Sequence, residues 1–246
     1  MRISINKKSP DIEEKWKKLL KNHPHNTIFQ SPDMYSFYLK VQNFEPFLFL
    51  CENEEDDIVG VLLAVIIKEG NGLKGYLSSR VVVYGGPLVD DKLVNKTEVL
   101  DMLLQSLVVN LKRKSMFIQF RNFFDWNDSE KKVFNNHGFI FRDRINLIVN
   151  TKDRQTTLSG ISTSKKRQIR KALESGACIE EPQSEDEVKI YYHLLLDLYK
   201  NKVRKPLPDW SFFKEFYYNS LEGKLGIIRL IKVKNRIIGG ILSPIT

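Results

Sequence analysis

The sequence is poor in the residues that most often carry metal or nucleophilic chemistry. Its 246 residues contain 2 cysteines and 4 histidines. Cys51 and Cys178 lie in segments predicted as strands, so we interpret both as reduced structural residues rather than a disulfide or a nucleophile. His23 and His25 form a His-x-His pair without a thiol or carboxylate beside it, which is a weak indication of zinc. We therefore expect no metal ion.

Long hydrophobic runs and common catalytic motifs are also missing. The longest uninterrupted apolar run, residues 61–67, is far shorter than the ~20 residues of a spanning helix, and residues 1–16 show no signal segment. Gly-x-Ser-x-Gly, Walker, His-Glu-x-x-His and Gly-x-Gly-x-x-Gly motifs do not occur. From these absences we expect a soluble, cytoplasmic protein without a transmembrane segment.

The composition nevertheless supports packed cores and an uneven charge. An apolar fraction of 42% with 11% aromatic residues excludes a disordered or fibrous chain. Residues 1–150 carry 21 Lys+Arg against 19 Asp+Glu, whereas residues 151–246 carry 18 against 11. The net charge of +9 therefore belongs mainly to the C-terminal part, where we expect an anionic partner.

Residues 1–150 are predicted to contain both helices and strands. Ser31-Pro32-Asp33 supplies an N-cap, a proline at the first helical position and an acid in the first turn, which predicts a helix from residue 32. Helices are predicted at 11–21, 32–41, 96–114 and 128–137, and strands at 46–51, 58–68, 76–84, 115–121 and 139–149.

A similar order of elements returns in residues 151–246. Helices are predicted at 165–175, 184–204 and 209–221, followed by strands at 225–233 and 236–245. The segment IVGVLL at 58–63 matches IIGGIL at 237–242. We therefore predict an α/β protein of two tandem units, 1–150 and 151–246. Because little sequence follows the second copy of this strand, we expect a truncated second unit whose last strand is an uncovered edge.

The helix at 165–175 is strongly basic. Ile169, Ala172 and Leu173 are predicted to turn inward, with the cations facing solvent. The functional interpretation is a phosphate-binding patch for tRNA, and the alternative is a solvated basic face. The cations are Lys165, Lys166, Arg167, Arg170 and Lys171.

Candidate ligand residues lie where strands end in residues 1–150. Gly85 and Gly86, after Tyr84, indicate either a tight turn or a close backbone approach to a ligand. Arg121 and Asn122 end another strand, a usual ligand position in open α/β sheets. For Arg121 the alternative is a structural ion pair with Asp125 or Asp143.

Two further candidates lie in residues 151–246. Gly239 and Gly240 are predicted to form a bulge whose freed backbone N–H polarises an acyl carbonyl, although ordinary strand glycines are the commoner explanation. Trp210, near a helix start, belongs either to the core or to the lining of a cleft.

The segments FQSPDMYSFY, VVVYGGPLV and SKKRQIRKALESG, in this element order, resemble the FemABX family. Members of that family are peptidyltransferases built from two acetyltransferase-like (GNAT) domains. The resemblance covers nearly the whole chain by element order, and its most specific part is the basic helix followed by glycine.

The resemblance implies a bacterial cell-wall enzyme. An aminoacyl-tRNA would donate its amino acid to the stem-peptide amine of a phosphorylated peptidoglycan precursor held between the domains, with a peripheral contact to the membrane surface and without a cofactor. The precursor-binding positions would be Lys40, Tyr84, Gly85, Gly86, Arg121, Asn122, Arg204 and Lys205. Phe117 and Asn122 stand where better-known members have a tyrosine and a carboxylate, so the acceptor is expected to differ, and no residue inherits the catalytic role.

Two other functions remain open. One is an N-acyltransferase of the wider GNAT group that uses acyl-coenzyme A and a sugar or amino acceptor. Its pyrophosphate cradle would fall at residues 80–87, but the glycine spacing differs from the acetyltransferase pattern and Pro87 removes an N–H donor. The other is a basic RNA-binding module without catalysis.

Overall fold

A computed structural model describes residues 1–70 and 72–245. The chain divides into two compact units. The first comprises most of Met1–Phe141, together with Tyr218–Gly226 and the chain end from Pro244. The second comprises Arg142–Tyr217 and Ile227–Ser243. The division into tandem domains near residue 150 stays a prediction.

The first unit is built on a mixed six-stranded sheet. Its strands are β1 (Arg2–Ile5), β2 (Phe44–Glu52), β3 (Ile58–Ile67), β4 (Arg80–Tyr84), β5 (Leu88–Val89) and β6 (Phe117–Arg121). The order is β1-β2-β3-β4-β6, and β5 pairs with β3 beyond the end of β4. The β4–β6 pair is parallel and the other pairs are antiparallel.

Two helices of this unit show how side chains in the sequence cap their first turns. Ser31 accepts a hydrogen bond from the Met34 N–H, as predicted, and Asn127 with Glu130 forms a capping box. The helices are α1 (Pro10–Asn22), α2 (Pro32–Lys40), α3 (Gly72–Leu77), α4 (Lys96–Leu111) and α5 (Asp128–Asn136), with a 3-10 turn at Ile28–Gln30.

The core of the first unit lies between α4 and the sheet. Six apolar side chains of α4 recur at helical spacing and are fully buried, which gives the helix one continuous face to pack. Gly60 of β3 lies directly beneath this face. A Cβ there would come within 2.7 Å of Val99 Cγ1 and 3.1 Å of Leu103 Cδ1. The close approach of α4 to β3 therefore depends on a glycine.

The second unit contains a three-stranded sheet, β7-β8-β9. Its elements are α6 (Arg154–Ser159), α7 (Thr163–Glu174), β7 (Ala177–Glu180), α8 (Glu185–Leu198), and most of α9 (Trp210–Leu221), β8 (Gly226–Val233) and β9 (Arg236–Pro244). Ile228 and Leu230 of β8 are buried, as are Val188 of α8 and Phe213 of α9. β9 lies at the edge of this sheet, and Ile238 and Ile241 on it are exposed. In the described part of the chain, no helix is both long and apolar enough to cross a membrane.

Two predicted boundaries are wrong. The strand predicted at 76–84 begins only at Arg80, because Gly72–Leu77 forms α3 and the Ser79 hydroxyl donates back to the Tyr76 carbonyl at 2.6 Å. The helix predicted to residue 204 ends at Leu198, where a π turn follows. Arg204 adopts a left-handed φ of 53°, and Pro206 disfavours a helix through Lys205.

The strand predicted at 139–149 is also wrong. These residues have neither helical nor strand structure, and residues 140–150 are all exposed. A strand needs a partner for its peptide groups, and no described strand pairs with this segment. Conversely, β1 and α6 were not predicted, since four-residue strands and six-residue helices give weak periodic signals.

Gly60→Ala is expected to destabilise the first unit by about 1–2 kcal/mol. The new methyl group overpacks the stiff Val99 side chain, at a typical cost of about 1–3 kcal/mol, and the reduced freedom of the unfolded chain recovers only part of it. Urea unfolding measures the change. Gly239→Ala is the control, because a Cβ there meets no atom within 4 Å; an equal loss in both variants would contradict the packing argument.

Candidate functional site

The candidate site is built on a break in the sheet between β4 and β5. β4 pairs with β3 up to Val83, opposite Ala64, and pairing resumes with Leu88, opposite Val61. Residues 84–87 leave the sheet between these points. The peptide groups of Leu63 in β3 therefore lack a strand partner on this side and require another one.

Gln30 supplies that partner. Its fully buried side-chain amide donates to the Leu63 carbonyl at 3.1 Å and to the Tyr84 carbonyl at 2.8 Å. The amide oxygen accepts from the Leu63 N–H at 2.7 Å. The Gln30 carbonyl in turn accepts from Trp16 Nε1 at 2.8 Å. The side chain thus replaces a short length of strand and joins α1, β3 and the end of β4.

The two glycines of this turn are explained by their own surroundings. A Cβ on Gly86 would lie 2.5 Å from Gln30 Cδ, and one on Gly85 would lie 2.8 Å from Thr27 Cγ2 and 2.9 Å from Phe123 Cδ2. Gly85 also has a φ of 58° and donates its N–H to the Arg121 carbonyl at 2.9 Å. Both glycines are buried. Their arrangement is that of a tight turn, and any ligand role for Gly85 or Gly86 stays a prediction.

A cationic and aromatic surface lies beside this turn. The Tyr84 ring contacts Phe29 at a centroid distance of 5.4 Å, and Phe29 contacts the exposed Phe123 at 5.6 Å. The exposed Arg121 guanidinium lies 5.5 Å from the Tyr84 centroid. No ion pair among the described residues involves Arg121, so the ion pair with Asp125 is not formed. Arg121 can therefore offer its planar donors to a carboxylate or phosphate.

Asn122 has a structural position beside this surface. It is half-buried and its amide donates to the Phe124 carbonyl at 3.1 Å. Phe124 stacks on the exposed His25, with 4.1 Å between ring centroids and an interplanar angle of 4°. Asn122 therefore shapes the loop after β6, and a direct contact with substrate stays a prediction.

His23 ties the end of α1 to β5. Its Nδ1 accepts from the His25 N–H at 3.1 Å, so Nε2 carries the proton and donates to the Val89 carbonyl at 3.0 Å. Burial lowers the pKa of His23, although the nearby Asp91 charge opposes this shift. Both ring nitrogens of the half-buried His23 are thus engaged with the backbone. No cluster of metal-ligating side chains occurs in residues 1–70 or 72–245.

The loop that connects the sheet to α4 lacks the glycines of an acetyltransferase pyrophosphate cradle. Because β5 continues the sheet to Val89, this loop is residues 90–95, later than the segment predicted from sequence. It contains Asp90, Asp91 and Lys92 and no glycine, and Asp91 forms an ion pair with Lys96. The Asp90 N–H donates to the Val59 carbonyl, and the Asp90 side chain accepts the Lys92 N–H. These two N–H groups are therefore already engaged, and the absence of a cofactor stays a prediction.

Other predicted substrate residues lie at exposed or partly exposed positions. In the first unit, Lys40 is the exposed last residue of α2. In the second unit, Arg204 and Lys205 are exposed after the π turn, and the partly exposed Trp210 begins α9 and contacts Tyr192 at 5.6 Å. Their binding roles stay predictions.

The paired glycines of β9 differ from each other. A Cβ on Gly240 would lie 2.8 Å from the Arg229 carbonyl oxygen, so this position requires glycine. The Gly240 carbonyl accepts from the Tyr191 hydroxyl at 2.8 Å. A Cβ on Gly239, by contrast, would have no atom within 4 Å. Polarisation of an acyl carbonyl by Gly239 or Gly240 stays a prediction.

The basic helix is confirmed as α7, but its apolar side chains are not buried. Ser162 caps it by accepting from the Lys165 N–H, and residues 162–176 are all exposed. The prediction that Ile169, Ala172 and Leu173 turn inward is therefore wrong. All five cations of α7 face solvent, and their phosphate-binding role stays a prediction.

Gln30→Leu is expected to destabilise the first unit by roughly 3 kcal/mol or more, because it leaves several buried peptide groups without partners at about 1–3 kcal/mol each.

Gln30→Glu separates the effect of hydrogen bonding from the effect of side-chain size. Burial and two facing carbonyls raise the pKa of the introduced carboxyl above its value in the unfolded chain, about 4.3. The loss of unfolding free energy relative to wild type is therefore smallest below that pH and grows as the pH rises. Chemical unfolding at several pH values measures this; a pH-independent deficit would contradict the assignment.

The stability of the first unit is expected to fall in mild acid through His23. The folded pKa of His23 lies below its ordinary value of 6.5. The neutral form therefore contributes fully above that pH, and the contribution is lost as pH falls below it. Thermal unfolding between neutral pH and mild acid should show a steeper loss for wild type than for His23→Gln. His193→Gln, at an exposed histidine, should retain the wild-type slope.

No protein-family model and no curated protein sequence matches this chain. Among solved structures, FemX matches 95% of the chain with a TM-score of 0.61 and 16% identity, and the chain spans 58% of the FemX chain. An aminoglycoside 6′-N-acetyltransferase from Acinetobacter haemolyticus aligns with 62% of this chain and 100% of its own, with 16% identity and a TM-score of 0.43. A ribosomal-protein-alanine N-acetyltransferase from Brucella melitensis aligns with 61% of this chain and 99% of its own, with 12% identity and a TM-score of 0.40. The FemX match confirms the predicted FemABX-like α/β fold.

Proposed function

We propose that this protein is an aminoacyltransferase that moves an amino acid from aminoacyl-tRNA to the amine of a phosphorylated peptidoglycan precursor. The observation that carries the proposal is the fold shared with FemX over 95% of the chain. The lack of glycine in the loop at residues 90–95 adds support, because a coenzyme A pyrophosphate cradle uses free backbone N–H groups of a glycine-rich loop.

The reaction needs no nucleophile from the protein. The acceptor amine attacks the ester carbonyl of the aminoacyl-tRNA, a C–N bond forms, and the ester C–O bond breaks. The amine loses a proton and the tRNA hydroxyl leaves with one. Cys51 is unsuited to attack, because burial raises the pKa of its thiol to about 11. The ester is already activated, so the protein contributes mainly by orienting it toward the acceptor amine.

Arg121 and the neighbouring rings suit an anionic acceptor. A guanidinium binds a phosphate or carboxylate with two parallel hydrogen bonds, and the Tyr84 face holds the guanidinium in place through a cation–π contact. Phe29 and Phe123 provide apolar area beside it. We assign phosphate or carboxylate recognition on the acceptor to Arg121. Lys40, Arg204 and Lys205 are proposed as further contacts.

The donor is tested by comparing aminoacyl-tRNA with coenzyme A. The full chain should transfer the amino acid to a phosphorylated stem-peptide precursor, as measured by mass spectrometry of the acceptor. Coenzyme A should leave Tm unchanged, whereas a saturating ligand at 100 times its Kd would stabilise the protein by about 2.7 kcal/mol. A clear rise in Tm with coenzyme A would overturn the proposed donor.

Arg121→Gln is the acceptor-side variant of the same assay. Loss of a charge-assisted hydrogen bond of roughly 1.5–3 kcal/mol should lower transfer about 10-fold or more without changing tRNA affinity. Arg113→Gln removes the same charge at another exposed position and should transfer normally. Binding of tRNA without any transfer would favour the non-catalytic RNA-binding module instead.

A further inference from the structure

His25 differs from the other two histidines of the first unit in the state of its ring nitrogens. His23 engages both of its ring nitrogens with backbone groups, and His137 Nε2 lies 2.8 Å from Asp101 Oδ1. Among residues 1–70 and 72–245, no side chain or backbone group forms a hydrogen bond or an ion pair with the His25 ring, which is exposed. Its ring nitrogens are therefore accessible to a substrate.

The His25 ring is nevertheless held in place. It stacks on Phe124 with a centroid distance of 4.1 Å and an interplanar angle of 4°, and Phe124 contacts Trp126 at 4.9 Å. Trp126 in turn contacts the buried Phe134 at 5.1 Å. The His25 N–H donates to His23 Nδ1 at 3.1 Å, which fixes the backbone. A stacked ring keeps its nitrogens at its edge, so this contact orients the ring without covering them.

The loop after β6 brings His25 and Arg121 to neighbouring positions. Thr27, two residues after His25, lies against Gly85, since a Cβ on Gly85 would be 2.8 Å from Thr27 Cγ2. The Gly85 N–H donates to the Arg121 carbonyl at 2.9 Å. Phe124, which stacks on His25, is three residues after Arg121, so their Cα atoms are at most about 11 Å apart. A molecule whose phosphate or carboxylate is bound by Arg121 can therefore extend to His25.

The electrostatic surroundings of His25 favour the uptake of a proton. The hydrogen bond from Lys96 lowers the pKa of the Asp91 carboxyl, and the charges of His23 and His25 lower it further. A proton on the His25 ring thus has an anion nearby. Histidine is also the side chain whose charge ordinarily changes near neutral pH. The charged and titratable groups in the segments around the ring are His23, Asp91, Lys96, Arg121 and Asp125.

We propose that His25 is the general base that takes the proton of the acceptor amine. This role rests on the aminoacyl transfer proposed above. The amine nitrogen attacks the ester carbonyl and forms the C–N bond, and its proton passes to the neutral His25 ring. The imidazolium then returns this proton to the tRNA oxygen as the ester C–O bond breaks. Arg121 binds the anionic group of the acceptor, and the stack on Phe124 orients the base.

Single-turnover transfer from aminoacyl-tRNA to the phosphorylated stem-peptide precursor, measured across pH, tests this role. His25→Gln should lower the rate about 10²- to 10⁴-fold, the contribution typical of a general base, and change the affinities for acceptor and tRNA less than about two-fold. In acid, the slope of log rate against pH should be lower than that of wild type by about one, because one fewer group must lose its proton. Added imidazole should restore part of the activity of His25→Ala, which a purely structural role would not produce.

Matched variants separate the base from its support and from histidines in general. His193→Gln removes an exposed histidine of the second unit and should leave the rate and the pH profile unchanged. Phe124→Leu removes the stacked ring and should lower the rate about 10-fold without changing the slope, because the base remains but is less well oriented. Circular dichroism should show unchanged folding of the His25 variants, since this side chain is exposed.

The outcomes distinguish the role of His25 from the proposed function. Transfer by wild type, with an unchanged rate or an unchanged slope in His25→Gln, overturns the role of His25 and leaves the proposed function standing. Absence of transfer by wild type overturns the proposed function, and the role of His25 with it.

Discussion

The geometry of the first unit depends on one buried amide. Gln30 takes the place of a strand where β4 leaves β3, and it pairs both peptide groups of Leu63 while also binding the Tyr84 carbonyl. A buried amide of this kind is favourable only when all its partners are present, because each unpaired group costs about as much as a hydrogen bond contributes. The site beside the break is consequently rigid at its base, and the turn at 84–87 has little freedom to change shape.

This constraint explains which groups of the site are accessible to a ligand and which are not. Gly85 and Gly86 are required by the space that Gln30, Thr27 and Phe123 occupy, so the turn is closed by the protein's own side chains. The groups that remain accessible to a ligand are the exposed guanidinium of Arg121 and the rings around Tyr84. Their chemistry suits an anionic acceptor. The adjoining loop at 90–95 contains no glycine, and its Asp90 and Lys92 N–H groups already have partners.

The second unit has a different surface character. Most of the net positive charge lies in residues 151–246, and the five cations of α7 are exposed. Because phosphate recognition begins with electrostatic attraction, this charge favours an anionic partner.

The sequence by itself determined the elements whose signals are local. Ser31 and Pro32 placed the start of α2, the apolar repeat placed α4, and the basic run with its glycine placed α7, because caps and helical periodicity act over a few residues. The tertiary structure alone decided the role of Gln30, which bonds to residues 33 and 54 positions away, and the return of the chain to β3 through β5. It also decided that residues 145–149, Ile169 and Leu173 are exposed. Apolar periodicity shows which side chains favour burial, but burial itself requires a partner surface that no local pattern specifies.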